Sequence, residues 1–195
     1  LTNGKEKIRV KLFGKHNMQN LNGAKEVLKK IGISEDQFYQ AIPSFEGADL
    51  RLELISESTD SAIFKDYAHA PSKVKAATLA VKEQFPEREL VACLELHTFS
   101  SLTKDFLSQY KGTMKYANTP VVYFNPSTID HKGLEPINFE DIRQGFNHSN
   151  LKVFNDKEEL LNFLKDQQWT NKNLLMMSSG TFNKLDYNKL TDIIQ

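Results

Sequence analysis

The chain has 195 residues, 39% of them apolar, with 25 Lys+Arg against 25 Asp+Glu. That zero balance argues against a nucleic-acid or anionic-membrane binder driven by bulk charge, and no window approaches the ~18 apolar residues of a membrane-spanning helix. One cysteine, Cys93, rules out an internal disulfide and a cysteine-based zinc site, leaving a soluble, cytoplasmic α/β protein as the expectation.

The first residues, Leu1-Thr2-Asn3-Gly4-Lys5, do not read as a signal peptide, and the missing initial Met suggests a fragment. Ile8, Val10 and Leu12 alternate with Arg9 and Lys11, the period-two pattern of a half-buried strand ending at Gly14. Met18, Leu21, Ala24, Val27, Leu28 and Ile31 then follow helical spacing, with Gly32 where a C-terminal cap belongs. A second helix is predicted from Ser34, with acidic Glu35 and Asp36 in its first turn and Pro43 as its stop. The loop Ser44-Phe45-Glu46-Gly47-Ala48-Asp49 suggests a domain boundary after residue 48. One strand with two helices cannot satisfy its ladder alone, so 1–48 reads as the tail of a larger domain.

From Leu50 onward strand and helix patterns alternate. Strands are predicted at the alternating Leu50, Leu52 and Leu54 and over 61–65. Further strands follow at 90–94, 121–124, 151–154 and 174–177. Helices are predicted over 71–85, from Ser101 through Tyr110, near 139–146, from Asp156 through Leu164, and over 185–194. This order with short links argues for a doubly wound, mostly parallel sheet.

In such a sheet ligands bind beyond the carboxyl ends of the strands. The residues placed there are Asp66-Tyr67-Ala68-His69-Ala70-Pro71, then Glu95, His97, Thr98 and Ser100, then Asn125, then Ser178, Ser179 and Gly180. Asp66 can accept two hydrogen bonds from a ribose diol or cap the following helix. His69 and His97 can meet a ligand or simply pack. Upstream, Asn17 and Asn20 are three apart in Gly14-Lys15-His16-Asn17-Met18-Gln19-Asn20. Their carboxamides can read the edge of adenine, or Asn17 can cap its helix. No phosphate loop, dinucleotide fingerprint or nucleophile elbow occurs in the chain.

Three of these clusters, in this order, resemble the C-terminal part of the Mur ligase family. Gly14 to Asn20 is similar to that family's Gly-x-His-Asn-x-x-Asn segment, followed by Ala24 in the helix. Phe45-Glu46-Gly47 with Arg51 resembles its inter-domain linker, and Asp66 to Pro71 its Asp-Tyr/Phe-Ala-His-x-Pro motif. The resemblance covers essentially the whole chain. It implies a Rossmann-like C-terminal, amine-substrate domain over 49–195, preceded by the end of a central ATP-binding domain over 1–48.

The implied activity is ATP-dependent amide formation. ATP phosphorylates a nucleotide-sugar carboxylate, and an amine attacks the acyl phosphate. ATP and Mg2+ are the implied cofactors. The family's phosphate loop, magnesium ligands and modified lysine would lie upstream of Leu1, so no catalytic residue is assigned here and the chain alone is expected to be inactive. By the same resemblance His16, Asn17, Asn20, Arg51, Asp66 and His69 would bind the nucleotide. His97, Thr98, Ser179, Gly180 and Phe182 would border the incoming amine substrate.

Glu95-Leu96-His97-Thr98 and Ser178-Ser179-Gly180-Thr181-Phe182 look most similar to the murein peptide ligase branch. That branch commonly has Glu-Pro-Arg-Ser and Ser-Asn-Gly-Gly-Phe at these places. It joins UDP-N-acetylmuramate to L-alanyl-γ-D-glutamyl-meso-diaminopimelate in peptidoglycan recycling. The expected partners are those two substrates and the protein's own upstream domains, with neither nucleic acid nor membrane. Two alternatives stay open: another Mur ligase adding a single amino acid, and a non-catalytic nucleotide-binding module with the same fold.

Overall fold

The helix α1 (Lys15–Lys30) starts after Gly14, whose φ of 88° suits glycine alone, and closes in a Schellman motif. Gly32, at φ 94°, donates to the Lys29 carbonyl at 3.3 Å, and Ile33 donates to Leu28 at 3.1 Å. The next helix, α2 (Glu35–Ala41), opens with a capping box in which Ser34 and Gln37 exchange side-chain and backbone bonds. A 3-10 turn, Ile42–Ser44, carries Pro43 and ends the segment. The computed structural model describes residues 1–2, 4 and 6–194; Asn3 and Lys5, part of the segment read against a signal peptide, lie outside them.

The chain divides into two compact units, Leu1–Asp49 and Leu50–Gln195. In the first, the strand expected at Ile8–Leu12 does not form among the described residues. The pairing there is a single antiparallel bridge, Thr2 with Lys7, and the Ile8 N–H donates to the Leu1 carbonyl at 2.8 Å. Ile8, Val10 and Leu12 instead pack against buried Leu21, Phe38 and Ile42. The alternation therefore reports which side chains are covered, and without a neighbouring strand it does not become a ladder.

The second unit is a six-stranded sheet in the order β1-β2-β6-β3-β4-β5. Its strands are β1 (Glu53–Glu57), β2 (Ala62–Asp66), β3 (Glu89–Leu96), β4 (Thr119–Phe124), β5 (Lys152–Phe154) and β6 (Lys172–Met177). All neighbours are parallel except β1 with β2, whose short connection forces an antiparallel pair. Ile55 is an extra residue in that pair, a bulge on an edge strand.

The unit's helices are α3 (Pro71–Gln84), α4 (Lys104–Leu107), α5 (Pro126–His131), α6 (Phe139–Phe146), α7 (Lys157–Lys165) and α8 (Asn188–Thr191). Ile63, Val91, Cys93, Val121, Leu174 and Met176 form one core cluster with Leu160, Leu161 and Leu164 of α7. The alternate residues Leu90, Ala92, Leu94, Val122 and Leu175 are buried too, so both faces are covered.

Four expectations need correction. Leu50 and Leu52 do not extend β1: both are left-handed, at φ 58° and 49°. The helix from Ser101 to Tyr110 is broken, because Thr103 is extended between a 3-10 turn (Ser100–Leu102) and α4, with another 3-10 turn, Ser108–Tyr110, after it. The helix at 185–194 shrinks to α8. The extra helix α5 arises because Asn125 accepts from the Ser127 N–H at 3.0 Å and Pro126 suits a first turn.

Candidate functional site

Registers pairing Asp66 with Met177, Leu94 with Met177 and Leu96 with Phe124 bring the carboxyl ends of β2, β6, β3 and β4 to one edge of the sheet. Beyond it lies a polar cluster built on Glu95. This carboxylate is buried; its Oε2 accepts from the Ser178 hydroxyl and, at 2.8 Å, from the Phe182 N–H. The Ser178 Oγ in turn accepts from the Gly180 N–H at 2.6 Å.

His97 lies over this cluster. Its Nδ1 is 3.8 Å from Glu95 Oε1, and its side chain is 39% exposed. Position 180 favours glycine, since a β-carbon there would fall 2.8 Å from that Nδ1 and force a neighbour to shift. The Ser179 hydroxyl is buried and has no partner among the described residues. Phe182, Asn183 and Lys184 are all left-handed, at φ 48°, 55° and 57°. Three such residues in a row are strained, a feature concentrated at ligand sites.

The aromatic floor stays uncharged. Tyr123 packs on Phe182 with ring centroids 5.9 Å apart. Burial, followed by the nearby Glu95 and Asp156, pushes the Tyr123 phenol up to about 12. Burial and Glu95 also push Tyr187 upward. Cys93, inside β3, is likewise driven up by burial and offers no thiolate.

At the β2 end, Asp66 is buried and faces its own backbone. Its Oδ2 accepts from Leu52 N–H at 2.8 Å and its Oδ1 from Ala68 N–H at 2.6 Å. It does not cap α3, whose N-cap is Ala70. Tyr67 is flanked by Arg51, with the guanidinium 5.7 Å from its ring centroid, and by the His69 ring at 5.1 Å. His69 Nδ1 lies 2.9 Å from the Tyr67 carbonyl. Thr98 closes a turn, its Oγ1 bonded to the Ser101 hydroxyl at 2.9 Å and accepting the Ser101 N–H at 3.2 Å.

In the first unit, His16, Asn17 and Asn20 all lie on α1. Asn17 is buried and donates its carboxamide N–H to the Phe13 carbonyl at 2.9 Å. It is not the cap, which is Gly14, and Asn20 is exposed. Among the described residues no group of three or more His, Cys, Asp or Glu is gathered to hold a metal.

His97, Ser179, Gly180 and Phe182 thus come together, with Thr98 adjoining. Glu95, placed by the sequence at a strand end and in the Glu95–Thr98 segment but given no role there, is their hub. The signal was a carboxylate inside the otherwise apolar run from Leu90 to Leu96, where a buried charge requires partners.

No family model matches the chain. A UDP-N-acetylmuramate–L-alanine ligase of Caldicellulosiruptor bescii is 34% identical over 115 residues, 59% of this chain and 25% of that protein. The same enzyme of Carboxydothermus hydrogenoformans is 26% identical over 186 residues, 94% of this chain and 39% of that one. The homologues are Mur ligases. Among solved structures, a murein peptide ligase from Psychrobacter arcticus superposes with a TM-score of 0.67 at 21% identity, over 96% of this chain and 39% of that one. A UDP-N-acetylmuramate–alanine ligase from Thermotoga maritima gives 0.69 at 16% identity, over 94% of this chain and 39% of that one. The six-stranded unit has the fold of a Mur ligase C-terminal domain, and the chain spans only 25% to 39% of these two curated Mur ligases.

Proposed function

We propose that the chain is part of a cytoplasmic, ATP-dependent ligase that joins an L-alanyl amino group to the carboxylate of UDP-N-acetylmuramate through an acyl phosphate. The observation that carries this is the Glu95–His97–Ser179–Gly180 cluster, a polar site in a buried setting at the carboxyl edge of a Mur ligase C-terminal fold. In this reading Leu50–Gln195 takes the amine substrate at His97, Thr98, Ser179, Gly180 and Phe182. Leu1–Asp49 is the end of an ATP-binding domain. ATP would supply the phosphoryl group that activates the carboxylate; His16, Asn17 and Asn20 would meet its base, and Arg51, Asp66 and His69 its ribose or phosphates. Mg2+ would be held by residues outside this chain.

The murein tripeptide L-alanyl-γ-D-glutamyl-meso-diaminopimelate is the amine substrate in this proposal. A second reading, addition of L-alanine itself, is favoured by the names of the curated relatives. Both share the acid substrate and an L-alanyl amine. The test supplies the polypeptide as its gene encodes it with ATP, UDP-N-acetylmuramate and either amine, and weighs the products. A tripeptide adduct supports the first reading and an L-alanine adduct alone supports the second. No adduct with either amine overturns both and leaves a nucleotide-binding module.

A further inference from the structure

Amide formation requires an uncharged amine, yet an α-amino group with a pKa of about 8 is largely protonated at pH 7. A base at the amine site must remove that proton. Resting on the ligase reading above, we propose that His97, backed by the buried carboxylate of Glu95, is that base.

Three other groups at this edge are engaged or unsuited, and His69, whose Nδ1 lies 2.9 Å from the Tyr67 carbonyl, is the competitor the test must separate. Glu95 is buried, with Oε2 already accepting from Ser178 and Phe182. Both oxygens of Asp66 accept backbone N–H groups. Tyr123, with its phenol up to about 12, stays protonated at neutral pH. His97 is half-exposed, and its covered edge is Cγ–Nδ1, which faces Gly180 and Glu95. Glu95 Oε1, 3.8 Å away, favours a proton on Nδ1, which leaves the Nε2 lone pair to the open side. The Ser179 hydroxyl, covered and without a partner among the described residues, is a further unsatisfied polar atom at this edge, the kind of group that a bound ligand would satisfy once the loop after β6 opens to it.

The step balances as follows. The ammonium N–H bond breaks and its proton passes to His97 Nε2. The freed lone pair forms the N–C bond to the acyl-phosphate carbon, the C–O bond to phosphate breaks, and phosphate leaves with the electron pair. The second amine proton departs with phosphate, and His97 returns its own to water.

Hydroxylamine is uncharged at neutral pH and needs no base, so it separates proton removal from the rest of the reaction. In the ligase as encoded, His97→Gln should lower the ratio of L-alanyl amide to hydroxamate by about 100-fold or more. An unchanged ratio, or a fall seen with His69→Gln and not His97→Gln, overturns the proposal. Wild-type protein that makes neither product sinks the ligase reading instead. Should His97→Gln not fold, 15N NMR of the neutral His97 ring in the 195-residue chain decides. A proton on Nδ1 in wild type, moving toward Nε2 in Glu95→Gln, supports the pairing; a proton on Nε2 in wild type, or a tautomer insensitive to Glu95→Gln, overturns it.

Discussion

Gly180 lies so close to His97 that a β-carbon on it would stand 2.7 Å from the imidazole Cγ and 2.9 Å from Glu95 Oε2. One methyl group at position 180 must therefore displace the imidazole, the carboxylate or the loop after β6. Gly180→Ala is expected to cost about 1–3 kcal/mol, the usual range for overpacking, and to shift the His97 ring resonances. Denaturant unfolding and an NMR spectrum check both effects, and unaltered resonances would count against this packing.

Asp66 is expected to act on stability before it acts on any ligand. Asp66→Ala would strand the buried Leu52 and Ala68 N–H groups, at about 1–3 kcal/mol for each orphaned donor. It would also release the left-handed Leu52. Chemical denaturation of the chain gives the answer. A variant as stable as wild type that had lost nucleotide affinity would mean that the carboxylate serves a ribose instead.

The two asparagines of the Gly14–Asn20 segment should separate cleanly. Asn17→Ala deletes a buried bond to the Phe13 carbonyl and should destabilise the chain by about 1 kcal/mol or more. Asn20→Ala, at an exposed position, should stay within about 0.5 kcal/mol of wild type. Its effect is expected in adenosine affinity, measured by calorimetry; equal losses of stability in both variants would contradict this division.

Alkaline pH should loosen the sheet unit. Tyr123 has its folded-state pKa raised to about 12, mainly by burial, above the ordinary value of 10. The folded state thus holds its proton more tightly than the unfolded one. Its contribution is intact below pH 10 and is lost as pH climbs toward 12. Tyr110 and Tyr187 shift the same way by burial. Absorbance titration should show three of the six tyrosines ionising late, and Tyr123→Phe should remove one late phenol.

Local rules carried much of the architecture. Gly32, Ser34 and Asp156 cap where their side chains and spacing say they should, and the runs at Leu90, Val121 and Leu174 are strands covered on both faces. Errors arose where tertiary bonds override local pattern. Leu50 and Leu52 alternate like a strand but are bent by bonds to Tyr67 and Asp66. Phe182 to Lys184 adopt a left-handed turn for which only Asn183 gives a local cue, since Phe and Lys rarely take that conformation. At the site, His97, Ser179 and Gly180 could be read from their strand-end positions. Their gathering around Glu95 could not, because it depends on β6 lying beside β3.

That same placement of β6 bears on how the chain matures during synthesis. β2 and β3 are not neighbours; the strand between them runs from Lys172 to Met177 and emerges from the ribosome after all the others. Until it arrives, both flanking strands present raw, sticky borders in the middle of the future sheet. A nascent chain stalled before residue 172 should therefore need chaperone shelter, whereas release past the final strand lets the whole layer zip shut in a single late event.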